Sequence, residues 1–296
     1  MSILIDDTTQ VLVQGITSHF GTTEAQRMLD YGTMVVAGVT PGKGGQEVCG
    51  LPVYDSVAEA VEKHQIDVAV NYAPARAAKD SVIEAIRAGI PLATVSAERI
   101  PIHDIAAIME EADRFGTRVI GPNTQGIASP GKARLGGVGG DLPARTLLPG
   151  PVGIASKSGG MGTEMCWLLT QAGIGQSTYV STGGEAIMGT SFRDLLAMYE
   201  EDEQTEVVVL FGEAGSRYED DAAAFIAEGG FTKPAIAFVA GRFAEQLPGV
   251  RFGHGGAIIE GKRGTPSEKV RAFEEAGVTV LGRLSQLVPH VQKLLA

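Results

Sequence analysis

His254 is the residue whose setting most invites chemistry. It lies in Arg251-Phe252-Gly253-His254-Gly255-Gly256-Ala257-Ile258-Ile259, where glycines on both sides expose an imidazole and admit other backbone close to it. A metal ligand would call for His or carboxylate partners two to four residues on, and Gly256, Ala257 and Ile258 stand there instead. A general base, a nucleophile and an ordinary loop histidine remain open. His19, His64, His103 and His290 have no such setting and read as structural or surface residues. Glu213, in Phe211-Gly212-Glu213-Ala214-Gly215, follows a β-branched run in the same half of the chain. It is able to orient and stabilise a charged imidazole, or to stand as an exposed carboxylate. Ser156-Lys157-Ser158-Gly159-Gly160-Met161-Gly162 joins a strand to a helix. Its free N–H groups at a helix start suit an anion, and a plain glycine-rich connection fits equally. It is no hydrolase elbow, since that motif needs glycine where Ser156 stands.

The first half offers a different chemistry. Its first strand leads into Gly15-Ile16-Thr17-Ser18-His19-Phe20-Gly21-Thr22, with a helix expected from Thr22. Such a turn lets backbone approach a phosphate, but its spacing is not the dinucleotide fingerprint. The second strand ends in Val39-Thr40-Pro41-Gly42-Lys43-Gly44-Gly45, where an NAD site would place an acid for the ribose hydroxyls. A lysine there suits a phosphorylated ribose, as in CoA or NADP; a tight turn with a solvated lysine is the plain alternative. Asn71-Tyr72-Ala73-Pro74 and Ser96-Ala97-Glu98-Arg99 fall at later strand ends. All of these points lie on the carboxyl edge of a parallel sheet, where open α/β folds bind ligands.

The elements that must position these residues follow from alternation of short β-branched runs with helical patterns, the mark of mostly parallel sheets wrapped by helices. Strands are expected at 11–15, 34–39, 68–72, 92–96 and 118–121, with helices at 22–31, 56–63, 79–88 and 103–115. A Gly- and Pro-rich stretch, 123–149, reads as an interdomain connection with some local structure. Strands resume at 152–156, 178–181, 207–211, 235–239 and 278–281, with helices at 161–172, 191–200, 220–227, 266–276 and 284–295. The economical division is a Rossmann-like unit over 1–145 and a second α/β unit over 146–296.

The 296 residues are 44% hydrophobic and 20% charged, enough for a core of this size and unlike a disordered chain. A net charge of −11 argues against broad adhesion to nucleic acid. No apolar run reaches membrane-spanning length. Two distant cysteines, Cys49 and Cys166, exclude a disulfide framework and favour a reducing compartment. The start, MSILIDD, has no basic flank or long apolar region. The expectation is a cytoplasmic protein without membrane contact.

Taken together, MSILID, VLVQGIT, GVTPGKGG, PVYDSVAEAV, IGPN, SKSG, FGE and GHGGAII resemble the α subunits of succinyl-CoA synthetase, within the nucleoside-diphosphate-forming acyl-CoA synthetases. The resemblance runs end to end. It implies a CoA-binding Rossmann-like domain, then a flavodoxin-like ligase domain. It also implies a β subunit with an ATP-grasp domain that binds ATP or GTP with Mg2+, in an αβ or α2β2 assembly. Carried over residue by residue, Thr17, Ser18, His19 and Phe20 match the loop contacting CoA. Lys43 matches the CoA lysine, and Ser96, Ala97 and Glu98 a later CoA segment. His254 matches the histidine phosphorylated in turnover, and Glu213 the carboxylate supporting it. Ser158 and Gly159 match the phosphate-cradling helix start, with Gly160 beside them. No resident metal site is expected in this chain.

The implied route moves phosphate from ATP or GTP to the histidine and then to a carboxylate, from which CoA thiol displaces it. Departures bear on the acid. Thr163 stands where the family usually has Tyr, the turn reads SKSGGMG, and GRFAEQLPGVRFGH is longer than the usual stretch. The GGM turn and the longer loop are closer to ATP-citrate lyase and citryl-CoA synthetase. Succinate is the default substrate, with malate or citrate as the alternative dicarboxylate or tricarboxylate. Two readings of other classes are an NADP-dependent oxidoreductase, which gives GHGG no purpose, and a non-catalytic CoA-binding regulator, which needs Lys43 but not His254.

Overall fold

A computed structural model describes residues 2–247, 249–259 and 264–296. The first part of the chain runs β1 (Gln10–Gln14), α1 (His19–Tyr31), β2 (Met34–Val39), β3 (Glu47–Val48), β4 (Leu51–Tyr54), α2 (Val57–Val61), β5 (Val68–Asn71), α3 (Ala75–Arg87), β6 (Leu92–Val95), α4 (Ile102–Phe115) and β7 (Arg118–Ile120). The remainder runs β8 (Gly126–Ser129), β9 (Ala133–Gly136), β10 (Pro149–Ser156), α5 (Gly159–Gln171), β11 (Gln176–Ser181), α6 (Phe192–Glu201), β12 (Val207–Gly212), α7 (Tyr218–Ala227), β13 (Ala235–Val239), α8 (Pro266–Glu275), β14 (Thr279–Val280) and α9 (Leu287–Leu295).

Among the described residues two sheets of seven strands form, ordered β3-β4-β2-β1-β5-β6-β7 and β14-β13-β12-β10-β11-β8-β9. Both are mostly parallel, as the alternation demands. In the first, only β3 runs antiparallel to its neighbour; in the second, β8 and β9 do. Helices cover both faces of a parallel sheet, so its inner strands are apolar throughout rather than alternating. Val207–Gly212, VVVLFG, is buried at every position.

The glycine- and proline-rich stretch is more than a connection. β8 and β9 form a hairpin on the second sheet, pairing Gly126 with Gly136 and Ser129 with Ala133. The chain therefore changes sheet between Ile120 and Gly126, ahead of the division expected near residue 145. Four-residue strands set among glycines carry too little periodicity to show in the sequence. The hairpin also ties the halves together. The Arg134 amide donates to Thr33 Oγ1 and the Thr33 hydroxyl donates to the Arg134 carbonyl, both at 2.9 Å. The buried guanidinium of Arg134 lies 3.6 Å from the buried Glu24 carboxylate on α1.

Two helix starts differ from expectation in a way that matters for the site. α1 begins at His19, because Ser18 Oγ accepts the Gly21 N–H at 2.9 Å and caps it. His19 and Phe20 thus belong to its first turn. α5 begins at Gly159, where Ser158 Oγ accepts the Met161 N–H at 3.3 Å.

Candidate active site

Strands β2, β1, β5 and β6 are neighbours and parallel, so the segments that follow them emerge on one edge. Those segments hold Thr17 and Ser18, Lys43, Asn71 to Ala73, and Ser96 to Glu98. The Lys43 loop is built by its own backbone. Lys43 N–H donates to Thr40 O at 3.1 Å, and Gly44 N–H to Asp55 Oδ1 at 2.8 Å. The Lys43 side chain is exposed and makes no ion pair among the described residues. Ser18 Oγ is engaged in capping, His19 is exposed, and Phe20 stands 55% exposed with its ring edge-on to Tyr72 at 5.1 Å. Behind them, Asn71 Nδ2 donates to Gln14 Oε1 and Ser81 Oγ, and Ser96 N–H donates to Asn71 O at 3.2 Å. This edge offers a lysine, an exposed aromatic face and a rigid polar floor to an elongated phosphorylated ligand.

The second sheet builds its own edge the same way. Parallel β13, β12, β10 and β11 bring the segments after Val239, Gly212, Ser156 and Ser181 together. Here Glu213 and His254 meet. His254 Nδ1 lies 2.9 Å from both Glu213 carboxylate oxygens. Its side chain is 27% exposed and that of Glu213 is 15% exposed. The Glu213 hydrogen bond raises the basicity of the imidazole, burial opposes it, and the Glu213 charge adds to the rise. With Nδ1–H donating to the carboxylate, the lone pair of the neutral ring sits on Nε2. The ring packs against Gly184, where a Cβ would come within 2.2 Å of His254 Cγ.

Beneath this pair is a buried charge cluster that the sequence reading missed. Lys157 Nζ lies 3.0 Å from Glu219 Oε1, and Lys269 Nζ pairs with Glu219 Oε2. Glu219 Oε1 accepts the Glu213 N–H at 3.0 Å, and Lys269 Nζ donates to the Glu213 carbonyl at 2.9 Å. Burial alone would push the Glu219 carboxyl up, but Lys157 and then Lys269 hold it well below the usual carboxylate range. The cluster therefore grips the backbone on both sides of Glu213. One signal was legible: on α8, Lys269 shares the buried face of Pro266 and Phe273 at helical spacing.

At the start of α5, Gly159 and Gly160 present N–H groups that no acceptor among the described residues takes. Gly160 and Thr163 line a cleft of about 760 Å³ with Gln125, Arg145 and Trp167. The Thr163 hydroxyl donates to Gln125 Oε1 at 2.7 Å, and the Tyr179 hydroxyl donates to the same oxygen at 3.3 Å. Gln125, which follows Thr124 after the IGPN motif, is thus a shared acceptor. Arg242 and Arg251, which flank the long loop before His254, are both exposed; Pro248 of that loop lies outside the described residues.

The two edges face each other across residues 121–125. Asn123 N–H donates to Ala97 O at 3.0 Å, while the Thr124 hydroxyl donates to Ser181 O at 2.5 Å. The carboxyl edge of the first sheet thus abuts the edge of the second that holds His254. No group of three or more metal-ligating side chains occurs among the described residues. No helix among them is long and apolar enough to cross a membrane.

Comparison with known proteins follows the same division. A CoA binding domain model matches residues 6–99 and a CoA-ligase model matches residues 155–279. The chain is 46% identical to succinate–CoA ligase [ADP-forming] subunit alpha 1 of Archaeoglobus fulgidus, covering 100% of this chain and 99% of that one. It is 43% identical to the malate–CoA ligase subunit alpha of Methylorubrum extorquens, covering 95% and 94%. Among solved structures, ATP citrate lyase from Methanothrix soehngenii, in complex with citrate and coenzyme A, superposes with a TM-score of 0.91 at 29% identity. That match covers 99% of this chain, which spans half the length of the lyase chain.

Proposed function

The chain belongs to the family of ADP-forming succinate–CoA ligase α subunits, and from that premise we propose that it forms succinyl-CoA from succinate, CoA and a nucleoside triphosphate through phosphohistidine at His254. The observation that carries this reading is the Nδ1 contact to both oxygens of Glu213. It fixes the tautomer that leaves Nε2 nucleophilic, and it supplies a counter-charge when the ring becomes cationic. An oxidoreductase or a CoA-binding regulator has no use for that pair.

In the first step His254 Nε2 attacks the terminal phosphorus of ATP or GTP. The N–P bond forms, the bond to the bridging oxygen breaks, and the diphosphate leaves. The Nδ1 proton stays on the Glu213 hydrogen bond. A carboxylate oxygen of the acid then takes the phosphoryl group, and the N–P electron pair returns to Nε2. Last, the CoA sulfur attacks the acyl carbon of the acyl phosphate, the C–O bond breaks, and phosphate departs as the thiol gives up its proton. The free amides of Gly159 and Gly160, behind Ser158 at the start of α5, receive phosphoryl charge. Lys43 pairs with a CoA phosphate, Thr17, Ser18, His19 and Phe20 line the same ligand, and Ser96, Ala97 and Glu98 close its far side.

Nucleotide and Mg2+ are assigned to an ATP-grasp β subunit, in an αβ or α2β2 complex working in the cytoplasm. The chain has no Walker motif, its relatives are named as one subunit of a ligase, and both of its cysteines are free.

Thr163 supports a second reading, a hydroxy acid such as malate or citrate. Its hydroxyl and Gln125 form a polar wall of the cleft beside Gly160. A site built to hydrogen-bond a substrate hydroxyl discriminates strongly against acids that lack it. The reconstituted complex should be assayed for thioester formation with succinate, malate, citrate and itaconate, comparing kcat/KM. Succinate should lead, and Thr163→Tyr should leave that order intact. A lead for malate or citrate that Thr163→Tyr abolishes would establish the hydroxy-acid reading instead. No thioester from any acid would refute the ligase.

A further inference from the structure

Glu185 belongs to neither set of residues described so far, yet it touches both. It sits in the segment after β11, half-buried, between the two sheet edges. On one side its Oε1 accepts the Arg99 N–H at 3.0 Å. Arg99 directly follows Ser96, Ala97 and Glu98, and its φ of +59° is one that side-chain-bearing residues rarely adopt. The carboxylate therefore fixes an unusual backbone turn at the end of the CoA-side segment. On the other side its Oε2 lies against Gly255, where a Cβ would come within 2.1 Å of it. The preceding residue completes the grip: Gly184 O accepts the Gly256 N–H at 2.9 Å, and Gly184 Cα supports the His254 ring.

We propose that Glu185 is a positioning residue that couples the CoA-side segment Ser96–Arg99 to the His254 loop, so that CoA binding and the placement of the imidazole are set together. This rests on the reading of the first edge as the CoA site. The physical basis is geometric. The carboxylate bridges the Arg99 amide and the backbone at Gly255, so a shift of either bears on the other through it. In the ligase reaction the coupling would bring the thiol and the phosphate carrier into register only when CoA is bound. Among the described residues, Glu213, Lys157 and Glu185 carry charge that acts on His254, and Glu185 also accepts from Arg99 on the first edge.

The test uses the full complex with its partner subunit, with histidines 13C-labelled at Cε1. CoA affinity is measured by calorimetry, and the His254 signal is followed with and without CoA. Glu185→Gln keeps an oxygen for the Arg99 amide, so CoA Kd should stay within about twofold of the wild type and CoA should still shift the His254 signal. Glu185→Ala removes the acceptor, so Kd should rise about fivefold or more and the CoA-induced shift of His254 should vanish. The coupling is overturned if Glu185→Ala keeps the wild-type Kd and the CoA-induced shift. It is equally overturned if the Gln and Ala variants behave alike, since a merely structural role makes no such distinction. An unlabelled His254 in wild-type phosphorylation assays would refute the phosphohistidine reading but would leave this comparison decisive.

Discussion

Lys43 and Lys157 both follow parallel strands, β2 in the first sheet and β10 in the second, yet their surroundings are opposite. Lys43 projects from an exposed turn and makes no ion pair among the described residues. Lys157 is buried against Glu219, with Lys269 on the other carboxylate oxygen. A cation left open to water is available to an arriving anion. A cation buried with its counter-charge is spent on architecture, here the turn that holds Glu213 under His254. On the proposed reading, the first edge receives a ligand that comes and goes, and the second holds the charge carried by His254.

The sharpest way to break this contrast is to remove the counter-charge. Glu219→Gln leaves two buried lysines uncompensated, and loss of one partner of a buried pair typically costs about 3–5 kcal/mol. The melting midpoint should fall markedly, whereas Lys43→Ala should leave it unchanged. The pH dependence has a defined sign. The Glu219 carboxyl is held down to about 2 in the fold by its lysines. Its contribution is therefore fully present above the unfolded carboxylate pKa of about 4.3 and is lost as pH falls towards 2. Denaturant titrations from pH 6 to 2 should show that loss in the wild type and a shallower slope in Glu219→Gln.

Next in size is Glu213→Gln. An oriented partner of this kind contributes about 10²–10⁴-fold, so the rate of histidine phosphorylation should drop by at least about 10²-fold. Glu213 raises the basicity of His254, and only the neutral ring is nucleophilic. The acid limb of the rate profile should therefore move to lower pH in the variant. An unmoved limb would show that the carboxylate does not act on the imidazole.

The smallest effect is expected at the exposed lysine. Lys43→Ala should weaken CoA by about 1–3 kcal/mol, the scale of a charge-assisted phosphate contact. Dephospho-CoA should be weakened less. Equal weakening of both ligands would make Lys43 a shaper of its loop rather than a phosphate partner.

Much of this arrangement was legible in the chain because its signals are local. The runs at Met34–Val39 and Ala235–Val239 occur as strands with the bounds read for them. His254 stood out through its glycines, and of these Gly255 and Gly256 do admit Glu185 to close contact. What stayed hidden depends on separation in sequence. Glu219 and Lys269 are fifty residues apart, and Lys157 is farther from both, so no spacing rule joins them. Gln125 gains its place by lying where β8 begins beside the end of β11, and the hairpin that puts it there has strands of four residues. Ser18 and Ser158 were read for ligands, whereas both also cap helices. That moved each helix start forward and took His19 and Phe20 out of the loop.

On the proposed reading His254 carries the phosphoryl group. The complex of this chain with its β subunit, incubated with γ-labelled ATP, tests it directly. The wild-type chain should acquire a label that is labile in acid, stable in base and discharged by succinate with CoA. His254→Asn should acquire none while binding CoA as tightly as before. A label of the same stability on the His254→Asn chain would contradict the assignment.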